Sequence, residues 1–253
     1  MQLFDTHCHI DVEEFDPDRA RVLHDARAAG VVDLLVPAVQ RTTWPALIDL
    51  CAADPHLHLA LGMHPVYLHR HKPEDVQALA EEVARSKPIA IGEIGLDWHL
   101  QELDRARQQR LLEQQLEIAQ SFDLPVVLHI RKAHEAMLDT LRRYRLKGGF
   151  CHAFNGSLVQ AGRYLDMGFR LGFGGMLTFE RSKHLRRLAV DLPLDAIVLE
   201  TDAPDMTVAS HQYQRNSPEY LPEVLATLAT LRGMPAQEVA ASTTATARTV
   251  LGL

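Results

Sequence analysis

Seven side chains able to hold a metal ion or a phosphate recur at comparable places along the 253-residue chain: His7, His9, His64, Glu93, His129, His152 and Asp202. The first two flank Cys8 in Asp5-Thr6-His7-Cys8-His9. On an extended backbone, side chains two apart face the same way, so His7 and His9 converge and Cys8 points elsewhere. Two imidazoles converging from one segment form half of a metal site. In a chain with 14 histidines such a pair arises by chance, so by itself it carries little weight. The other five add the weight, because each follows a short apolar run: 57–62 before His64, 89–92 before Glu93, 125–128 before His129, 149–151 before His152 and 196–199 before Asp202. Random placement would scatter titratable residues over helix faces.

Leaving His64 aside, four His, one Glu and one Asp exceed the roughly four protein ligands of a tetrahedral ion. Two divalent ions about 3.5–4 Å apart, bridged by a carboxylate, would use them all. Glu93 lies between the other ligands in chain order and is the expected bridge. His7, His9 and Asp202 are assigned to one ion, and His129 and His152 to the other. Zn²⁺, Mn²⁺ and Mg²⁺ are the candidates, with nitrogen-rich coordination favouring Zn²⁺, Mn²⁺, Fe²⁺ or Co²⁺ over the oxygen-preferring Mg²⁺. Such ions lower the pKa of bound water to around 7, and Asp202 and Glu93 are the expected catalytic carboxylates, with Asp202 placed to take a proton from water. His64 and Arg131 are the expected substrate contacts, Arg131 because a guanidinium suits bidentate phosphate binding. Asp5, Asp97 and Glu200 are expected to orient ligand imidazoles. Cys8 and Cys151 are expected not to be ligands.

These residues need a scaffold that brings separate segments to one rim. Apolar runs from residue 3 and at 31–37, 57–62, 89–92, 125–128, 149–151, 169–173 and 196–199 read as eight buried strands. Helical patterns fall between and after them, near 16–30, 44–53, 74–86, 103–122, 133–144, 158–167, 183–190, 218–231 and 235–251. Asp16-Pro17 reads as an N-cap followed by Pro at the first helical position. Eight strand-helix alternations are the sequence form of a (β/α)8 TIM barrel, with the active site at the C-terminal ends of the strands. One domain over residues 1–253 is expected, since no linker or repeat interrupts the pattern. An open doubly wound sheet is disfavoured because the first strand-to-helix turn has no G-x-G-x-x-G.

Bulk composition sets limits. Hydrophobic residues make up 47% and charged residues 23%, which excludes wholesale disorder. A net charge of −7 argues against a strongly basic, sequence-independent nucleic-acid binder, though not against a local cationic cleft. Three cysteines without C-x-x-C spacing suggest neither a disulfide framework nor a zinc knuckle. The N-terminus lacks a signal-peptide pattern and no long apolar run appears, so a cytoplasmic protein with no membrane association and no obligate protein partner is expected. Arg142-Arg143-Tyr144-Arg145 and Arg186-Arg187 read as solvated helix faces.

The chain resembles the TatD-type metal-dependent deoxyribonucleases of the amidohydrolase-like barrel superfamily. The resemblance rests on Asp5-Thr6-His7-Cys8-His9, Gly62-Met63-His64-Pro65, Gly92-Glu93-Ile94-Gly95-Leu96-Asp97, Pro125-Val126-Val127-Leu128-His129-Ile130-Arg131, His152-Ala153-Phe154-Asn155-Gly156 and Leu199-Glu200-Thr201-Asp202-Ala203-Pro204. It implies a hydrolase of phosphodiester bonds, exonuclease-type, acting on DNA ends or single strands with a divalent-metal pair held by the six residues already assigned. Ala153 stands where many relatives have Cys, and Thr246 and Leu251 where Asn and Phe are usual. Many amidohydrolases bridge their metals with a carboxylated Lys on strand four. Glu93 occupies that place here, which by resemblance favours phosphoester over C–N hydrolysis. The alternatives are a small-molecule phosphoester or amide hydrolase on the same scaffold, which the acidic net charge favours, and a non-catalytic metal- or nucleic-acid-binding protein.

Overall fold

Eight short strands, each apolar enough to be covered on both faces, pair in parallel in the order of the chain. In the computed structural model, which describes residues 1–253, they are β1 (Leu3–Asp5), β2 (Val31–Pro37), β3 (Leu57–Leu61), β4 (Ala90–Asp97), β5 (Val126–Arg131), β6 (Gly149–Cys151), β7 (Phe169–Phe173) and β8 (Ile197–Leu199). The sheet curls until its two edges meet. The Thr6 N–H donates to Leu199 O at 3.0 Å and the Asp202 N–H donates to His7 O at 2.8 Å, which closes the barrel just beyond the last residues of β1 and β8. Helices α1 (Arg19–Ala28), α2 (Trp44–Ala52), α3 (Glu74–Ser86), α4 (Arg105–Ser121), α5 (His134–Leu141), α6 (Leu158–Asp166) and α7 (Lys183–Asp191) each follow one strand, and α8 (Leu221–Arg232) and α9 (Ala236–Leu251) follow β8. This is the expected (β/α)8 barrel.

Two apolar layers hold it together. A core of 56 buried residues fills the space between sheet and helices. A separate cluster fills the barrel interior: Phe4, Leu35, Ala60, Ala90, Val127, Phe150 and Val198, one from each strand except β7, with Ala247 and Leu251 of α9. α9 packs on β1 and β8 and plugs the end of the barrel where the strands begin. The interior is therefore dry and filled at that end, and the polar side chains gather at the other. No helix is long and apolar enough to cross a membrane.

Two elements differ from the sequence expectation. β4 does not stop at Glu93 but continues to Asp97, pairing Ile94 with Leu128 and Asp97 with Arg131 after a register shift between Ile91 and Ile94. The irregularity turns Glu93 into the barrel mouth while the strand goes on. Gly95 makes the continuation possible: its φ is +157° and a Cβ there would lie 1.9 Å from His129 O. The first helix does not begin at Asp16-Pro17 but at Arg19, with Asp18 at the N-cap position and no side-chain cap bond. The Asp18 carboxylate is engaged instead by Arg215, at 2.9 and 2.8 Å, and by Arg21 at 2.6 Å.

Candidate metal centre

The ends of β1, β3, β4, β5, β6 and β8 place His7, His9, His64, Glu93, His129, His152 and Asp202 around one point. All are buried or half-buried. Glu93 is at the middle. Its Oε2 faces His7 Nε2 at 3.1 Å and His9 Nε2 at 3.5 Å. Its Oε1 faces His129 Nδ1 at 3.1 Å and His64 Nε2 at 3.2 Å. Asp202 Oδ1 lies 3.7 Å from both His7 Nε2 and His9 Nε2, and its Oδ2 lies 3.5 Å from His152 Nε2.

The neighbours of each ring fix which nitrogen carries a proton. His9 Nδ1 lies 3.2 Å from Pro37 O, which only accepts, so Nδ1–H donates there and Nε2 looks into the site. His129 Nε2 lies 3.1 Å from Asp97 Oδ2, so it carries the proton and Nδ1 faces Glu93. His152 Nδ1 lies 3.0 Å from Glu200 Oε1, a charge contact without hydrogen-bond geometry, and its Nε2 points toward Asp202. Glu200 is itself placed by the Ala153 N–H at 2.7 Å. It has room only because residue 172 is glycine: a Cβ there would lie 2.1 Å from Glu200 Oε2. His64 is reversed. Its Nδ1 accepts from the Val66 N–H at 3.1 Å, so Nε2 carries the proton and donates to Glu93 Oε1. His64 is therefore a donor aimed into the site, not a free nitrogen lone pair, although its distances would admit it to a ligand group with Glu93 and His129.

Buried polar side chains hold the strand ends rigid. Asp5 accepts from the His7 N–H at 3.2 Å, the Thr201 N–H at 2.9 Å and the Thr201 hydroxyl at 2.5 Å, tying the end of β1 to that of β8. Gln108 of α4 bonds both the N–H and the C=O of Asp97, at 2.8 and 2.9 Å. Gln115, also on α4, bonds both backbone groups of Met63, at 2.7 and 3.1 Å. These two glutamines are functional supports that motif reading missed. The signal was present: two glutamines seven apart on the buried face that also carries Leu111 and Leu112.

The electrostatics are those of a dry, crowded cluster. Burial raises Glu93, but the surrounding His64 and His7 outweigh it and hold the carboxyl well below its ordinary range. Burial likewise opposes Asp202, yet His152, His7 and His9 bring it down to about 2. Burial lowers His9, but Glu93 and Asp202 more than compensate and raise it to about 9. Burial takes His64 down to about 4 against the pull of Glu93. Burial also raises Asp5 to about 7 despite its three donors.

The donor set fits divalent cations. His7 Nε2 and His9 Nε2 stand 3.1 Å apart, two nitrogens that need a shared proton or a cation between them. His7 Nδ1 is buried without a partner. The close groups are His7–His9–Asp202, His7–Glu93–His152 and His64–Glu93–His129. His152 stacks on His7, ring centres 3.7 Å apart, and so stands on the His7–Asp202 side of Glu93. Strand order alone groups it with His129, on the adjacent strand β5. Arg131 is exposed at the rim and touches none of the cluster. Cys8 and Cys151 are buried free thiols outside these groups.

A parallel barrel with five imidazoles and two carboxylates crowded at the C-terminal mouth is the construction of a metal-dependent hydrolase. The chain belongs to the TatD related DNase family, whose model matches residues 4–252. It is 39% identical over 242 residues to YjjV of Escherichia coli K12, an uncharacterized metal-dependent hydrolase, covering 94% of this chain and 93% of that one. The crystal structure of YJJV, a TatD homologue from Escherichia coli K12, matches with a TM-score of 0.95 at 38% identity, covering 99% of this chain and 98% of that one. A 3′-5′ ssDNA/RNA exonuclease TatD from Salmonella typhimurium is 32% identical over 256 residues, covering 98% of both chains.

Proposed function

We propose that this hydrolase is a nuclease that cleaves phosphodiester bonds at the ends of single-stranded DNA, with two divalent cations sharing Glu93. The observation that carries the reading is the position of the Glu93 carboxylate, which turns one oxygen to His7 and His9 and the other to His129 and His64. A carboxylate so placed is suited to bridge two ions, as in two-metal phosphoryl-transfer sites. His7, His9 and Asp202 would hold one ion and His129 the other, with His152 Nε2 offering its lone pair beside Asp202. The name carried by the Salmonella relative supports the choice of substrate.

When bound, the cations would supply charge for the phosphate oxygens and lower the pKa of water. The chain's own groups have separate tasks. His64 is neutral and presents Nε2–H, a donor suited to a non-bridging phosphate oxygen as charge builds on it. Asp202 stays ionised, so it can orient the attacking water and accept its proton through an oxygen. Arg131, exposed at the rim, is free to meet the phosphate backbone.

The test is a metal analysis of the purified protein followed by assays on single-stranded, duplex and nicked DNA, with and without EDTA. Two equivalents of metal and EDTA-sensitive shortening of single strands support the reading. Turnover of small phosphoesters or amides without any DNA cleavage would replace it with a small-molecule hydrolase.

A further inference from the structure

Beside the metal centre lies a cleft of about 320 Å³, near the lower end of the ~300–1,000 Å³ range of ligand clefts. It opens between the loops that follow β6, β7 and β8. Ala153, the residue after His152, and Gly172, which faces Glu200, form its inner end, so it is continuous with the site. Met176, Leu185 and Met206 give it an apolar wall, and Arg181 and Lys183 stand at its mouth.

No carboxylate lines this cleft. Arg181 and Lys183 are exposed and paired with no acid, unlike nearby Arg187, whose Nε lies 3.2 Å from Asp191 Oδ2. The Arg181 guanidinium rests 4.7 Å from the centre of the Phe179 ring, which keeps it from ranging freely. A second rim cleft, with Arg41, Arg70 and Lys72, contains its own acids Glu74 and Asp75, and Arg41 is paired with Asp75 at 2.8 Å. Two free cations on a chain of net charge −7 are thus concentrated where an anionic substrate would leave the catalytic centre.

We infer that this cleft holds the nucleotide next to the scissile phosphodiester, with its base against Met176 and Met206 and its own phosphate at Arg181 and Lys183. The inference rests on the nuclease reading and narrows it. A base lodged in the cleft cannot be paired at the same time, so the occupant is a single strand or a frayed end. Thioether walls adapt to different bases, and phosphate contacts carry no sequence information, so the cleft accepts any of them. A substrate that fills the cleft then carries at least two consecutive phosphates, and one with a single phosphodiester is turned over without its help.

The experiment compares wild type with the double variant R181A/K183A on two substrates, an oligothymidylate and bis(p-nitrophenyl) phosphate, which has one phosphodiester and no neighbouring nucleotide. Each charge-assisted contact is worth about tenfold. The preference for the oligonucleotide, taken as the ratio of the two kcat/KM values, is expected to fall by about 100-fold, chiefly through KM. In parallel, affinity for a fluorescein-labelled phosphorothioate oligothymidylate is read by anisotropy. It is expected to fall by a similar factor, with a log–log salt slope shallower by about 1.4, or 0.7 for each lost contact on a single strand. An unchanged ratio and an unchanged salt slope overturn the inference, and so does a loss of equal size on both substrates. If wild type hydrolyses neither substrate but binds the strand through these two residues, the cleft assignment stands and the nuclease reading falls.

Discussion

Replacing Asp97 by Asn should weaken the cation on the His129 side without unfolding the protein. The Asp97 side chain is 1% exposed, and its two oxygens do different work. Oδ1 accepts from the His99 and Leu100 N–H groups at 2.9 and 3.2 Å, and an amide oxygen can continue to do so. Oδ2 faces His129 Nε2 at 3.1 Å, and there Asn would present an NH2 group to an N–H. The ring escapes by moving its proton to Nδ1, which faces Glu93 Oε1 at 3.1 Å. That proton occupies the lone pair a cation needs. Loss of such a supporting carboxylate typically costs about 10–100-fold in metal affinity, equivalent to about 1.4–2.8 kcal/mol. Metal titration against a competing chelator reads this directly, and activity should recover at saturating metal because no ligand has been removed. Unchanged affinity with an intact circular dichroism spectrum would refute the tautomer reasoning, and so would activity that stays lost however much metal is added.

Three further outcomes are expected. Glu93→Gln should reduce activity by about 10³-fold or more, and metal analysis should show a lower content than wild type, because the carboxylate charge at the middle of the cluster is lost. Gly172→Ala, whose Cβ would press on Glu200 Oε2, should destabilise the fold by about 1–3 kcal/mol in urea unfolding and lower activity by displacing the partner of His152. In metal-free protein the His9 pKa of about 9 lies above its unfolded value of 6.5. Its contribution to stability is therefore present below pH 6.5 and lost as pH rises through about 9. Metal must displace that proton, so binding at pH 7 should release it, measurable by calorimetry in buffers of different ionisation enthalpy.

The barrel was readable because its strands are continuous apolar runs and side chains able to bind a metal follow them, as at His129 and His152. The content of the site was less readable than its location. His152 and His129 are neighbours in strand order, yet curvature of the sheet carries His152 onto His7, a contact no linear reading supplies. The chemistry of His64 depends on the Val66 N–H, a backbone group that leaves no mark in the residue pattern. Arg131 fits the strand-end rule by position, but its side chain is exposed beyond the cluster. The continuation of β4 past Glu93 was hidden because Gly92 and Gly95 look like strand breakers, whereas Gly95 here permits close approach to β5. Arg181, in the loop before α7, and Lys183, at its first position, are isolated cations that carry no spacing signal, unlike the adjacent pair Arg186-Arg187.

The seam that completes the barrel has a bearing on how the protein is made. Thr6 and Leu199, which meet there, are 193 positions apart, and Asp5 grips Thr201 across the same join. During synthesis from the N-terminus, the first histidines emerge from the ribosome long before their counterparts at the far edge exist. Until that edge arrives, a nascent chain has neither a finished cylinder nor Asp202, and hydrolytic power is withheld from unfinished copies.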